Sequence, residues 1–163
     1  MFQKSFDIDL NISAEFGSWF AGWLDGEGCF RASLNQSRWR ADGICIDVIL
    51  KVTLRDDDRP LLEEVKNILG CGTIRAKSNE TRRSQGRKEA DSACWEVHSN
   101  SQLRHIIIPI LDRYPLRSKK KRDYIIFREL VLRMYQGEHL KEGREYCHQL
   151  AIQLSEIKKS VQQ

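Results

Sequence analysis

No apolar stretch in this sequence approaches the roughly 20 residues that a helix needs to cross a bilayer. The N-terminal segment also lacks the basic stretch followed by an apolar stretch that characterises a secretory signal. We therefore expect an intracellular protein with no membrane partner, in the cytoplasm of a prokaryote or, alternatively, in an organelle.

The sequence has little cysteine chemistry to offer. Its five cysteines are odd in number and scattered, and no two of them form a CxxC pair. This spacing supports neither a zinc knuckle nor a disulfide framework, so we expect buried, reduced thiols. We do not interpret Cys94 and His98 as a zinc pair, and we expect His98 to be an ordinary surface histidine.

The net charge is only +4, but the basic residues are unevenly distributed. Residues 75–88 contain six Lys/Arg and one acid, and residues 113–122 contain six Lys/Arg and no acid. Clusters of this kind suit a polyanion such as nucleic acid. Either cluster alone is equally consistent with a solvated loop.

The apolar periodicity predicts a mixed order of helices and strands. In chain order the predicted elements are a helix capped by Ser13 and ended by Gly26 and Gly28, strands at 29–35 and 44–54, a helix from Pro60 to Gly70, strands at 72–79 and 92–99, and helices from Ser99 or Asn100 to Leu111, at 118–136 and at 139–160. Residues 79–90 are predicted to be a polar loop. Asp56, Asp57 and Asp58 are better explained by a helix N-terminus than by a metal site.

This order predicts an α+β fold in which the helices cover one face of an antiparallel sheet. The opposite face is predicted to carry Arg31, Ser33, Asn35, Lys51, Arg75, Lys77, Glu96 and His98. A ribbon with such a polar, basic face is narrow enough to lie in a DNA major groove. Because we find no internal repeat and no linker, we expect one domain over residues 1–163, with a core at about 13–136 and a helical extension at 137–163.

The stretch WFAGWLDGEGCF, residues 19–30, is unusual for a helix in a soluble protein. It combines two tryptophans, two acids and three glycines in twelve positions. A common amphipathic helix with a glycine C-cap does not require small residues within an aromatic face, whereas small residues permit close approach of two helix backbones. The small residues that could form such a contact are Gly17, Ser18, Ala21 and Gly22.

The segment FAGWLDGEG, residues 20–28, resembles the signature of the LAGLIDADG homing endonucleases. Ala21, Gly22, Asp25 and Gly28 match the motif outright, while Gly26 replaces alanine and Glu27 replaces the second aspartate. The surrounding order of elements, with GCGTIRAK after a glycine stop and YPL before a lysine run, is similar to the family over about residues 13–136. The resemblance implies the αββαββα fold with a sheet that forms a DNA-binding saddle, and a site-specific DNA endonuclease encoded in a mobile intron or intein.

The single copy of the motif implies, by the same resemblance, a C2 homodimer. The two motif helices would pack through Gly17, Ser18, Ala21 and Gly22, with Asp25 near the interface. Their ends would bring the two Glu27 side chains together over one minor groove, so that a staggered double-strand cut in a long, roughly palindromic duplex is expected.

The resemblance also implies a divalent metal, Mg²⁺ or Mn²⁺, and no small-molecule cofactor. Glu27 and the backbone carbonyl of Gly26 match the family's metal ligands, and hard cations prefer such oxygen donors. Asp25 is expected to be mainly structural, with direct metal contact as the alternative. Lys120 is the best match to the family's catalytic lysine and Lys119 the second, within the run of residues 119–121, although these lysines could also be general phosphate contacts.

One position departs from the family. Where related enzymes often carry a glutamine that orients water, this sequence has Leu54, with Arg55 or Arg59 as potential replacements. Two alternatives to a nuclease follow, namely an intron maturase that binds RNA and a DNA-binding regulator without cleavage. The carboxylate of Glu27 argues against both, and Leu54 argues mildly for them.

Target recognition is expected from the outer sheet face. Arginine and lysine can bond to guanine O6 and N7, so Arg31, Ser33, Asn35, Lys51, Arg75 and Lys77 are predicted to read bases. Arg38 and Arg40 at the first hairpin tip would reach along the groove. Phosphate contacts, which position the protein without reading sequence, are expected from Arg82, Arg83, Arg87 and Lys88.

Overall fold

The computed structural model describes residues 12–39, 43–78 and 90–159 of the 163-residue chain. The sequence-based predictions for Arg40, Arg82, Arg83, Arg87 and Lys88, and for nearly all of the polar loop at 79–90, lie outside these residues. The helices are α1 (Ala14–Glu27), α2 (Arg59–Leu69), α3 (the consecutive segments Asn100–Gln102, Leu103–Ile107 and Ile108–Arg113), α4 (Lys120–Tyr135) and α5 (Arg144–Lys159). The strands are β1 (Gly28–Gln36), β2 (Ile44–Arg55), β3 (Thr73–Lys77) and β4 (Ser92–Val97).

The motif helix α1 begins as its sequence predicts, and its C-cap is Gly28 rather than Gly26. The Ser13 hydroxyl accepts a hydrogen bond from the Phe16 amide at 3.0 Å, which caps the first turn. The helix continues through Gly26 and ends at Glu27, and β1 follows directly from Gly28. A Cβ atom on Gly28 would lie 2.6 Å from the carbonyl oxygen of Leu24, so only glycine fits the abrupt change from helix to strand.

The four strands form one antiparallel sheet in the order β1-β2-β4-β3. Gly28 pairs with Val52, Lys51 pairs with Glu96, and Arg75 pairs with Cys94. Alternate residues are buried on one face, as the period-two pattern predicts. This inner face contributes Phe30, Ala32, Ile46, Val48, Leu50, Val52, Ala93, Trp95 and Val97 to the core.

The helices cover this inner face and leave the other face of the sheet uncovered by them. Apolar side chains of α2, α3 and α4, such as Leu62, Ile107 and Phe127, are fully buried in the same core. Complete burial of one such side chain stabilises a fold by roughly 1.5–3 kcal/mol. Helix α5 packs against α4 and β1, and it adds Leu150 and Leu154 to the core. The expected α+β fold is therefore confirmed.

Two helices differ from the predicted bounds. The third helix extends to Arg113 and contains a π-helical segment, Leu103–Ile107, shortly before Pro109, whose ring nitrogen has no hydrogen to donate. The final helix begins at Arg144 rather than 139, because a 3₁₀ turn, Glu138–Leu140, precedes it. A Cβ on Gly143 would lie 2.9 Å from the Cβ of Glu138, so the chain doubles back closely at this point.

No helix in the described part of the chain has the length and apolar character that a membrane crossing requires.

Candidate active site

Asp25 joins the end of α1 to the segment that precedes α4. Its Oδ2 accepts a hydrogen bond from the Arg117 amide at 2.8 Å, and its Oδ1 accepts from the amide and hydroxyl of Ser118 at 3.1 and 2.7 Å. Burial acts to raise the pKa of Asp25, but these hydrogen bonds outweigh it and the pKa is lowered. Both carboxylate oxygens therefore hold the start of α4 against α1.

Lys120 reaches from the first residue of α4 to the last turn of α1. Its Nζ donates to the carbonyl oxygen of Gly26 at 2.6 Å and to that of Leu24 at 3.4 Å. Burial lowers the pKa of Lys120, and the negative charges of Glu27 and Asp25 oppose that shift. The ammonium thus compensates the carbonyl groups at the negative end of the α1 dipole.

Lys120, rather than its neighbours, is the lysine that the fold brings to the motif. Lys119 and Lys121 are exposed, and Lys119 takes the N-cap position of α4. Glu27 is exposed at the last position of α1, where its charge acts on Lys120. The predicted carboxylate, carbonyl and lysine therefore lie together at one helix end.

The donor set at this helix end fits a hard divalent cation. No three His, Cys, Asp or Glu side chains form a metal cluster among the described residues. The carboxylate of Glu27 and the carbonyl of Gly26, both at exposed positions, are instead two oxygen donors that could hold such a cation together with waters. The Gly26 carbonyl already attracts one cationic group, the Lys120 ammonium.

Leu54 is half-buried and packs against the hydrophobic core. Neither arginine considered as a substitute for the missing glutamine is directed to Glu27. Arg55 pairs with Asp57 at 2.8 Å, and Arg59 Nε donates to Asp56 at 3.1 Å, both at the turn before α2.

Thr53, next to Leu54, is exposed on the outer face of the sheet. It lies one residue beyond Val52, which pairs with Gly28, and the sequence analysis does not single it out.

The outer sheet face carries the six residues predicted to read bases. Arg31, Asn35, Arg75 and Lys77 are exposed on it, and Ser33 and Lys51 are half-buried. Arg38 is exposed in the turn beyond β1, beside Trp39, whose surface is 97% exposed. Parity along each strand predicted this face correctly, since side chains alternate with period two.

An acid lies among these cations. The side chain of Glu96 is only 10% exposed, and its Oε1 accepts a hydrogen bond from Lys51 at 2.7 Å. Its Oε2 lies 3.2 Å from His98 Nε2 and 3.6 Å from Arg75 Nε. Burial acts to raise the pKa of Glu96, but hydrogen bonds from Lys51 and His98 lower it to about 2. The sequence placed Glu96 on the correct face but could not show these contacts.

The small residues of α1 do not all lie at the surface. A Cβ on Gly17 would lie 2.2 Å from the Tyr114 ring, so Gly17 is small because a side chain of the same chain packs on it. Ala21 is 5% exposed. Ser18 and Gly22 are exposed, and a Cβ on Gly22 would meet nothing within 4 Å. Only part of the predicted helix-pairing surface is therefore open.

Comparisons with known proteins identify related sequences. The family model described as LAGLIDADG endonuclease matches residues 20–131. An uncharacterized 50.9 kDa protein in ND4 intron 1 of Podospora anserina is 33% identical over 125 residues, which are 75% of this chain and 25% of that protein. The homing endonuclease I-ApeII of Aeropyrum pernix is 30% identical over 112 residues, 69% of this chain and 60% of that protein.

Solved structures share the fold. The meganuclease I-SmaMI bound to uncleaveable DNA superposes with a TM-score of 0.72 at 26% identity, over 83% of this chain and 43% of that chain. I-SmaMI has also been solved on an uncleaved DNA target in the presence of calcium ions. The chain spans only 24–27% of the length of three fungal relatives that it matches. Because the family model covers more than half of the chain, and the motif helix, sheet and lysine form one connected site, the chain belongs to the LAGLIDADG endonuclease family.

Proposed function

We propose that this protein is a homing endonuclease that makes a metal-dependent, staggered double-strand cut at a specific DNA site. The observation that carries the proposal is the contact of Lys120 Nζ with the Gly26 carbonyl beside Glu27. It places an acid, a carbonyl and an ammonium together, next to a sheet face rich in arginine and lysine.

Each group at the helix end has a proposed role in phosphodiester hydrolysis. Glu27 and the carbonyl of Gly26 would hold Mg²⁺ or Mn²⁺, which when bound activates water and neutralises charge on the attacked phosphate. The Lys120 ammonium would donate hydrogen bonds to the charge that develops on the phosphate oxygens. Asp25 would act indirectly, by holding Ser118 and so the first turn of α4. Lys119 would contribute a general phosphate contact, since it is exposed outside this cluster.

We further propose that two copies of the chain form a C2 dimer through α1. One copy of the motif supplies one Glu27, whereas cutting both strands of a duplex requires two sites. The DNA-bound I-SmaMI chain, of which this chain matches 43%, is long enough to hold two such units. Ser18 and Gly22 offer the open surface for the contact, with Ala21, Asp25 and Gly17 beneath or beside it.

We also propose that residues 1–163 form a single domain, since Leu150 and Leu154 of α5 share the core of the sheet. The outer face, with Arg31, Ser33, Asn35, Lys51, Arg75 and Lys77, would read bases in the major groove. Arg38, Arg40, Arg82 and Arg83 would extend the contact along the duplex. Relatives named as intron-encoded support a gene within an intron and action inside the cell, in a prokaryote or an organelle.

The decisive experiment incubates the purified protein and Mg²⁺ with the DNA that flanks its gene's intron, joined as in an intronless allele. A specific double-strand cut supports the nuclease. A shifted but uncut duplex supports the second candidate, a DNA-binding regulator, which the core-facing Leu54 favours. Stimulated intron splicing without affinity for the duplex would identify a maturase and contradict the proposal.

A further inference from the structure

Glu96 is an acid at the centre of a surface that should bind a polyanion. It lies on β4, which is flanked by β2 and β3, so the carboxylate is in the interior of the sheet rather than at an edge. An uncovered carboxylate here would repel phosphate groups. Its 10% side-chain exposure shows that neighbouring side chains cover it instead.

The covering side chains meet the carboxylate from both neighbouring strands. Lys51 is the direct cross-strand partner of Glu96, and Arg75 is the partner of Cys94, two residues away on the same face. Lys51 contacts Oε1, whereas Arg75 and His98 approach Oε2. Lys51 on β2 therefore contacts one carboxylate oxygen, and Arg75 on β3 contacts the other. Together the two contacts define the orientation of the carboxylate plane.

The covering groups are more exposed than the acid that they cover. Side-chain exposure is 34% for Lys51 and 68% for Arg75, against 10% for Glu96. A ligand that approaches this face therefore meets the two cations first. Arg75 uses Nε for the contact, and its two terminal nitrogens are the pair that can bind guanine O6 and N7 together.

Lysine and arginine lose much rotamer freedom when they are held at a binding surface. An ion pair formed before binding removes part of that loss, and it also limits the base positions that each cation can reach. A lysine held at 2.7 Å from Glu96 should therefore discriminate between bases better than a lysine that is free to follow any phosphate.

We propose that Glu96 is a positioning residue for target recognition. It orders Lys51 and Arg75, and thereby sets the base preference at the base pairs that face the centre of the sheet. This inference rests on the DNA binding in the proposed function, but it does not require cleavage. Without the carboxylate, the two cations become mobile, so sequence preference falls while general affinity for DNA rises.

The test is a binding selection on a pool of duplexes randomised across the target site, with no metal-dependent step. The wild-type protein is compared with Glu96→Gln, Lys51→Met and Arg75→Met, and each selected sequence is then titrated at several salt concentrations. The matched control is Asp47→Asn, which removes an equal charge from the same face, where its carboxylate contacts His98 at 3.8 Å.

We expect Glu96→Gln to lose roughly tenfold or more in discrimination at the base pairs that Lys51→Met or Arg75→Met also relax. Both Glu96→Gln and Asp47→Asn should strengthen non-specific binding, but Asp47→Asn should keep those base preferences. Unchanged preferences in a folded Glu96→Gln protein, or equal relaxation in Asp47→Asn, would overturn the inference.

If Glu96→Gln does not fold, Glu96→Asp decides the question, because it keeps the charge but withdraws the carboxylate by one methylene. Relaxed preference at the same base pairs supports positioning, and a wild-type profile overturns it. A wild-type protein that enriches no sequence would contradict the proposed function itself. Loss of nuclease activity alone would leave the outcome of this selection intact.

Discussion

The ammonium of Lys120 lies 2.6 Å from the backbone carbonyl of Gly26, so the first residue of α4 is bonded to the last turn of α1. The two residues are 94 positions apart in the chain. This contact brings the motif acid and the basic run of residues 117–122 together, and it distinguishes Lys120 from the exposed Lys119 and Lys121.

Replacement of Lys120 by methionine should reduce cleavage strongly while DNA binding changes little. Loss of one donor that stabilises transition-state charge costs about 10²–10³ in rate. Single-turnover cleavage at saturating protein measures the effect, and Lys119→Met is the matched control, with at most a modest loss expected. A larger loss in Lys119→Met than in Lys120→Met would reverse the assignment.

Glu27→Gln should abolish cleavage and retain DNA binding, because it keeps the shape of the side chain but removes the charge that would hold the metal. Chelation of divalent ions by EDTA should also abolish cleavage by the wild-type protein, and added Mg²⁺ should restore that cleavage. Gel shifts and cleavage of one labelled duplex measure both quantities. Cleavage by Glu27→Gln in Mg²⁺ would remove Glu27 from the site.

Asp25→Asn should reduce stability by about 1–3 kcal/mol, since three hydrogen bonds from Arg117 and Ser118 reach a carboxylate that would lose its charge. Ser118→Ala removes the hydroxyl that donates to Asp25 and accepts from the Lys120 amide at 3.2 Å, and it should cost about 1–2 kcal/mol. Urea titrations give both free energies of unfolding. If Asp25→Asn instead left stability unchanged and abolished cleavage, Asp25 would be a metal ligand.

Stability should depend on Glu96 in a pH-dependent manner. Its folded-state pKa, about 2, is below the ordinary value of 4.5, so the unfolded chain binds the proton more readily. Its stabilising contribution is therefore complete above pH 4.5 and is lost as the pH falls towards 2. Urea titrations of the wild type and Glu96→Gln should show a constant difference at neutral pH that shrinks in this acid range. A difference that stayed constant throughout would contradict the ion-paired state.

Gly17→Ala and Gly22→Ala should have opposite effects on stability, although both lie in α1. The new methyl group at position 17 would overlap Tyr114, which should cost about 1–3 kcal/mol. The methyl at position 22 meets nothing within the chain, so improved helix propensity should add about 0.8–1.0 kcal/mol to protomer stability.

Sedimentation equilibrium tests the interface with the same two variants. A methyl group on Gly22 should separate the paired helices and raise the dimer dissociation constant, whereas Gly17→Ala should act mainly on folding. A wild-type protein that stays monomeric at all concentrations, with or without DNA, would contradict the proposed dimer.

The sheet faces could be predicted because alternation is a property of a single strand. Arg31, Ser33 and Asn35 face outward whatever strand lies beside them. The contact of Lys51 with Glu96 could not be predicted in this way, since it joins residues 45 positions apart and depends on the register of β2 with β4.

Glycines are harder to interpret from the sequence. The residue type alone does not tell whether a glycine makes room for a neighbouring side chain or adopts a turn conformation. The sequence predicts a helix-pairing role for Gly17, but the Tyr114 ring occupies the space beside it. Gly70 ends α2 with a φ of +62°, as its position after an apolar helix predicted. A helix cap is set by adjacent residues, whereas the packing of a ring on a glycine depends on residues that are far away in the sequence.

The sequence by itself determined the helix and strand order, the outward parity of the basic residues and the acid-bearing motif at the end of α1. These features depend on periodicity, capping and residue type within short windows. Only the tertiary structure decided that Lys120 meets Gly26, that Asp25 holds Ser118 and that Glu96 lies beneath Lys51 and Arg75. Those relationships depend on how separate elements pack and pair, and a few ångströms of shift between them would change every partner.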